Sequence, residues 1–240
     1  MIRPDDKQAF ARSAAQQLKE LQFWGLQEVP RGAEARAATS VEKPASESKS
    51  EALKHLQRQV IACTACPLYR TRTHAVPGEG SPTAKLIFVG EAPGREEDLQ
   101  GRPFVGAAGQ LLTKMIQAIG LAREDVYICN VLKDRPPANR MPLPEEVEAC
   151  RPFLERQLAI IQPAVICTLG AVAAKALLGP EVAITKIRGR VLSYEGIPVV
   201  PTFHPAYLLR NPPAKKFVWL DLKLVKRLLD HPARERSADR

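Results

Sequence analysis

Two cysteines in a C-x-x-C pair, Cys63 and Cys66, open the stretch CTACPLYRTRTH and run at once into Arg70 and Arg72. Thiolates at that spacing can share a soft metal centre, but two of them do not complete a tetrahedral site, and no second C-x-x-C follows. Asn130, within the apolar run VYICNVL, has an amide with one acceptor and two donors, enough to meet the edge of a base through two hydrogen bonds. His204 in TFHPAYLLRNPP is fixed by the proline after it. The stretch GEAPGREEDLQGRPFVG, residues 90 to 106, carries Glu91, Glu96, Glu97 and Asp98 against Arg95 and Arg102. It is neither G-x-G-x-x-G nor a Walker sequence, and its carboxylates would repel a nucleotide's phosphates, so ATP and NAD chemistry are set aside. Phe104, an aromatic among glycines, offers a stacking surface.

These groups need elements to hold them. The apolar runs KLIFVG, VYICNVL, AVICTLG and the pair VLSYEG and IPVVPTF have strand length and are apolar throughout rather than at alternate residues. Between them AAGQLLTKMIQAIG, PEEVEACRPFLERQLAII and AVAAKALLG have helical period, the second with Pro144 in its first turn. Strands alternating with helices predict a mostly parallel sheet covered on both faces, which binds ligands beyond the strands' C-terminal ends. Upstream, EALKHLQRQVIA reads as a helix leading into the C-x-x-C, and FVWLDLKLVKRLLD as a closing helix. The expected organisation is an N-terminal helical extension at 1–28 with Phe10, Ala14, Leu18 and Leu21 on one stripe, a flexible linker at 29–50, one domain at 51–230 and a disordered tail at 231–240.

Lys and Arg total 35 against 26 Asp and Glu, a net +9 that favours a polyanionic partner such as nucleic acid. The longest apolar run, AVICTLGAVAA, stops at Lys175, too short to span a bilayer, and the N-terminus lacks the apolar stretch of a secretory signal. A cytoplasmic monomer without membrane association is the expectation. In that reducing compartment the five cysteines are metal ligands or core residues rather than disulfides.

Taken in order, the C-x-x-C, GEAPGREEDLQGRPFVG, NVLKDRPPANR and HPAYLLRNP resemble the family 4 uracil-DNA glycosylases, the iron-sulfur class, over about residues 51 to 230. The resemblance implies a three-layer α/β/α sandwich around a central, mostly parallel four-stranded sheet. It also implies a monofunctional glycosylase of base excision repair that flips deoxyuridine out of single- or double-stranded DNA and hydrolyses the N-glycosidic bond, leaving an abasic site. Position by position, Phe104 stacks on uracil, Asn130 bonds its O4 and N3 edge, and His204 donates to O2 of the departing base. Ala92 lines the pocket, Glu97 closes it near C5 against the thymine methyl, and Glu91 positions water or favours the sugar cation. Leu208 or Leu209 enters the duplex. Arg70, Arg72, Lys133, Arg135, Arg140, Lys186, Arg188, Arg190 and Arg210 take phosphates.

The same resemblance implies a [4Fe-4S] cluster on four cysteines. Cys63, Cys66 and Cys150 fit three of the positions, and at the remaining one this sequence has Asp134. Either Asp134 ligates iron through oxygen, or Cys129 substitutes through a register shift, or the cluster is incomplete, labile or absent. Cys167, inside AVICTLG, is expected in the core.

Overall fold

A computed structural model describes residues 48–231. The expected extension at 1–28, all but the end of the linker, and the tail beyond His231 lie outside the described residues. The linker's last residues are helical rather than flexible: α1 (Lys49–Ala62) starts there because Ser48 caps it, its Oγ accepting from the Glu51 amide at 3.2 Å.

Four strands form the parallel centre in the order β3 (Tyr127–Asn130), β2 (Leu86–Gly90), β4 (Val165–Leu169), β6 (Ile197–Thr202). The expected four-stranded sheet is this centre, but the sheet has six strands, because a short antiparallel strand closes each edge: β1 (Glu79–Gly80) on β3 and β5 (Leu192–Tyr194) on β6. A two-residue strand carries no periodicity to read. β5 and β6 form a hairpin turned by Glu195 and Gly196, both at positive φ (48° and 79°).

Every residue of β2, β3 and β4 is buried, as runs covered on both faces must be. Alternation along β2 divides the core: Leu86 and Phe88 pack with α3 (Ala107–Ala118), α7 (Pro205–Arg210) and α8 (Lys215–Asp230), while Ile87 and Val89 pack with α1, α4 (Pro144–Ile161) and α5 (Ala171–Leu178). The result is the expected three-layer α/β/α arrangement. Each fully buried Leu, Ile or Phe contributes about 1.5–3 kcal/mol through loss of apolar surface from water. Cys167 is in this core with no exposed surface, as expected.

Two short α-helices and four 3₁₀ turns complete the described elements. α2 (Arg95–Gln100) lies within the stretch GEAPGREEDLQGRPFVG, to which no helix is assigned above, and α6 (Ile184–Ile187) precedes β5. The sequence REEDLQ has no apolar stripe to betray α2; its start is set by Glu97, whose Oε2 accepts from the Gly94 amide at 3.2 Å.

Two glycines permit close approaches that shape the site. A Cβ on Gly90, the last residue of β2, would collide with Asn130 Oδ1 and the Phe104 ring, and one on Gly109 in α3 would strike the Phe104 backbone. Phe104 itself has φ 51°, so its ring is held against the strand ends by a backbone turn unusual for an aromatic residue. We expect Gly90→Ala to lower stability by about 1–3 kcal/mol through overpacking and to displace the Phe104 ring. Thermal melts and the ring's contacts in a crystal of the variant check both.

Candidate active site

In chain order β2 is followed by β3 on one side and β4 on the other, so the sheet reverses direction at β2 and leaves a crevice at the strands' C-terminal ends. A cleft of about 420 Å³ lies there, lined by Glu91, Ala92, Glu97, Phe104, Asn130, His204 and Arg210 among others. Pairing continues past the strand ends, with the Val131 amide donating to Gly90 O (3.0 Å) and that of Leu132 to Glu91 O (3.1 Å). This backbone zip sets Glu91 and Asn130 side by side.

Asn130 is 1% exposed, and its Oδ1 is a buried acceptor with no partner. Such an orphan is costly unless a ligand donor meets it. The Phe104 and His204 rings lie 5.6 Å apart between centroids at 31°. His204 caps α7: its Nδ1 accepts from the Ala206 amide at 3.1 Å, which leaves the proton on Nε2, available as a donor. Burial, then the Arg210 charge, push this imidazole down to about 4, against a smaller pull upward from Glu97. It is therefore neutral at physiological pH. Burial pushes the Glu91 carboxyl up from its ordinary range.

Glu97 lines the cleft, but its carboxylate is also a brace: Oε1 accepts from the amides of Val105 (2.9 Å) and Gly106 (3.0 Å), and Oε2 from Gly94. The loop presenting Phe104 is thereby tied to α2. A second support was missed in the sequence. Lys133, expected on phosphate, is 2% exposed, and its Nζ donates to Asn130 O (2.6 Å) and Gln157 Oε1 (2.8 Å); Gln157 in turn donates to Tyr127 Oη (3.1 Å). A lysine after an apolar run reads as surface, and its partner is 24 residues away.

Several other expectations require correction. Leu208 is 1% exposed and packs in the core, so it is not a duplex wedge; Leu209, on the other side of α7, is 46% exposed. Arg188 is not free for phosphate either, because it pairs with the buried Asp221, which also accepts from Thr202 Oγ1 at 2.6 Å. Arg140 grips Glu146 through both carboxylate oxygens (2.9 and 2.6 Å). Arg135 is half-buried and bonds Asn139 Oδ1 at 2.7 Å, whereas Arg70, Lys186, Arg190 and Arg210 are exposed. A larger groove of about 840 Å³ beside α8, lined by Trp219, Leu220 and Arg227, holds none of the residues assigned to the uracil pocket.

The sequence signature of the Uracil DNA glycosylase superfamily matches residues 77–224, which contain every residue of this cleft. The chain belongs to that superfamily. It is 52% identical over 166 residues to the Type-4 uracil-DNA glycosylase of Thermotoga maritima, covering 68% of this chain and 86% of that protein. The Type-4 uracil-DNA glycosylases of Sulfurisphaera tokodaii and Archaeoglobus fulgidus are 48% and 46% identical, covering 77% and 74% of this chain and 88% and 94% of theirs.

The cysteine end of this superfamily member departs from a four-thiolate site. The Asp134 charge lies near enough to Cys66 and Cys150 to raise both thiols, though burial is the larger cause and pushes Cys150 up to about 11. Yet both Asp134 oxygens accept from Arg72 Nη1 at 2.9 Å, with the two side chains only 5% and 13% exposed. Among the described residues no three His, Cys, Asp or Glu side chains form a group able to hold a metal ion. Asp134, expected as an iron ligand, is paired with Arg72 in this structure, and Cys129 stays in β3 with no exposed surface. Three thiols and a carboxylate already claimed by a guanidinium do not fit a cluster held by four protein ligands.

The depressed His204 value fixes the sign of one pH effect. Between its ordinary 6.5 and about 4 the unfolded chain takes up a proton that the folded imidazole refuses, so this contribution is complete above 6.5 and is lost as pH falls toward 4. Glu91 acts in the opposite sense. We therefore expect His204→Gln to flatten the acid loss of unfolding free energy relative to the unaltered protein, as read from urea unfolding between these limits.

Proposed function

We infer that the protein excises uracil from DNA by hydrolysing the N-glycosidic bond of an extruded deoxyuridine. The single observation that carries this is that Asn130, whose Oδ1 is buried and unpartnered, lines a cleft that also holds an aromatic ring and a neutral imidazole donor. A uracil ring supplies what that acceptor lacks, an imide N3–H, while the Asn130 amide N–H donates to O4. Phe104 stacks on the ring. Glu97, rigid because three backbone amides hold it, fills the space beside C5 and excludes a methyl group.

As the bond between C1′ and N1 breaks, its electron pair leaves with the base, and negative charge gathers at O2. The Nε2–H of His204 meets that charge. A neutral donor strengthens its bond as the anion forms, so the interaction favours the transition state over the ground state. Glu91, as its carboxylate, favours the cationic sugar and positions the water whose oxygen bonds to C1′. Leu209 enters the gap left in the duplex, offsetting part of the few kcal/mol that extrusion costs. Exposed Arg70, Arg210, Lys186 and Arg190, with Arg135, meet phosphates of single- or double-stranded DNA.

The five cysteines, none of them in a disulfide, fit a reducing cytoplasm, and no described helix is long and apolar enough to cross a membrane.

A uracil-containing oligonucleotide treated with the protein and then with alkali should be cut at the uracil. His204→Ala should slow excision by on the order of 10²–10³ with binding retained. An oligonucleotide bound tightly yet never converted to an abasic site would show a DNA-binding relative without turnover. Raising salt from low to physiological strength should weaken binding steeply; salt-independent affinity, measured by fluorescence anisotropy, would contradict the phosphate contacts.

A further inference from the structure

We propose that the Arg72–Asp134 ion pair replaces the metal cluster in this chain, clasping the cysteine loop directly to the loop that follows β3, so that the folded protein needs no iron. Asp134 stands where the resemblance calls for a cysteine, and its carboxylate is not turned toward an open ligand position. Both oxygens are bonded to one guanidinium nitrogen from a residue 62 positions earlier. The same guanidinium donates through Nη2 to Ile61 O at 2.6 Å, near the end of α1. One side chain thus joins α1, the C-x-x-C loop and the loop after β3, the segments carrying Cys63, Cys66 and Asp134.

Neighbouring bonds work in the same direction without thiolate. The Val76 amide donates to Lys133 O at 2.7 Å, and Thr73 gives both its amide and its hydroxyl to Asp98, each at 2.8 Å. Asp98 is 3% exposed, so this second clasp is also sheltered from water. To ligate iron, Asp134 would have to leave Arg72 and strip a nearly buried cation of its partner. A hard carboxylate gains less from iron and sulfide than a thiolate would, so the exchange is unfavourable where a cysteine would make it favourable.

The decisive measurement is iron and sulfide content of the full chain after anaerobic reconstitution with ferrous iron and sulfide, together with its thermal midpoint before and after a chelator. We expect less than about one iron per chain and a midpoint that the chelator does not move. Arg72→Met should lower the midpoint by roughly 10 °C, because it leaves a buried carboxylate unpaired; Arg72→Lys, charged but unable to fork, should fall between. Asp134→Cys should take up about four irons per chain and become chelator-sensitive. An unaltered protein that holds three or four irons and melts earlier once they are removed would overturn the proposal, as would an Arg72→Met variant with an unchanged midpoint. Should Asp134→Cys fail to fold, the iron count of the unaltered chain still decides. None of these measurements uses substrate, so their outcome is separable from that of the excision assay.

Discussion

A strand that ends without a side chain is the constraint on which the site rests. Gly90 leaves room for the Asn130 amide and the Phe104 ring to close over the end of β2, and Gly109 lets α3 approach the backbone that presents the ring. Any Cβ at Gly90 would occupy the volume that the base-reading groups share. The ring, the amide and the imidazole come from three different segments, the loop after α2, the last residue of β3 and the loop after β6, so their convergence depends on the parallel strands and on the reversal of strand order at β2. The chemistry is then a matter of protonation. A histidine kept neutral by burial and by Arg210 can donate at full strength without first giving up a charge.

Much of this was legible in the sequence for one physical reason. Parallel strands buried on both faces are written as unbroken apolar runs, and polar residues that end such runs, such as Asn130, or follow them, such as Glu91 and His204, stand out against that background. What was not legible depends on side-chain direction or distant pairing. Leu208 and Leu209 are adjacent and chemically identical, and only the phase of α7 separates the core residue from the exposed one. Lys133 and Arg188 look like surface cations, yet each is consumed by an acceptor that another element supplies, Gln157 from α4 and Asp221 from α8. The role of Glu97 as a brace needed the positions of three backbone amides, none of which has a residue-type signature. The helix α2 escaped because its starting bond involves a glycine and its body is polar.

The cysteine end and the base-reading end are a single polar framework. Lys133 reaches into the core to hold the Asn130 carbonyl through its ammonium, and its own carbonyl accepts from Val76 in the loop after the C-x-x-C. Burial pushes that ammonium down from its ordinary value, a cost the chain accepts while both acceptors are present. Because Lys133 is followed directly by Asp134, whatever fixes Asp134 also limits how far the Asn130 strand end can move. A metal centre would fix it by covalent bonds to soft ligands, sensitive to oxygen and to chelators. An ion pair fixes it with two short, forked hydrogen bonds that are indifferent to both, and the desolvation penalty of such a pair falls as temperature rises. The placement of the guanidinium matters as much as its charge: Nη1 is shared by both Asp134 oxygens while Nη2 holds Ile61 O, and bonds from two nitrogens to two segments resist the pivoting that a single-point contact would allow. An exchange of thiolate for carboxylate at one position is therefore tolerable only where a guanidinium already lies within reach, and Arg72 meets that condition.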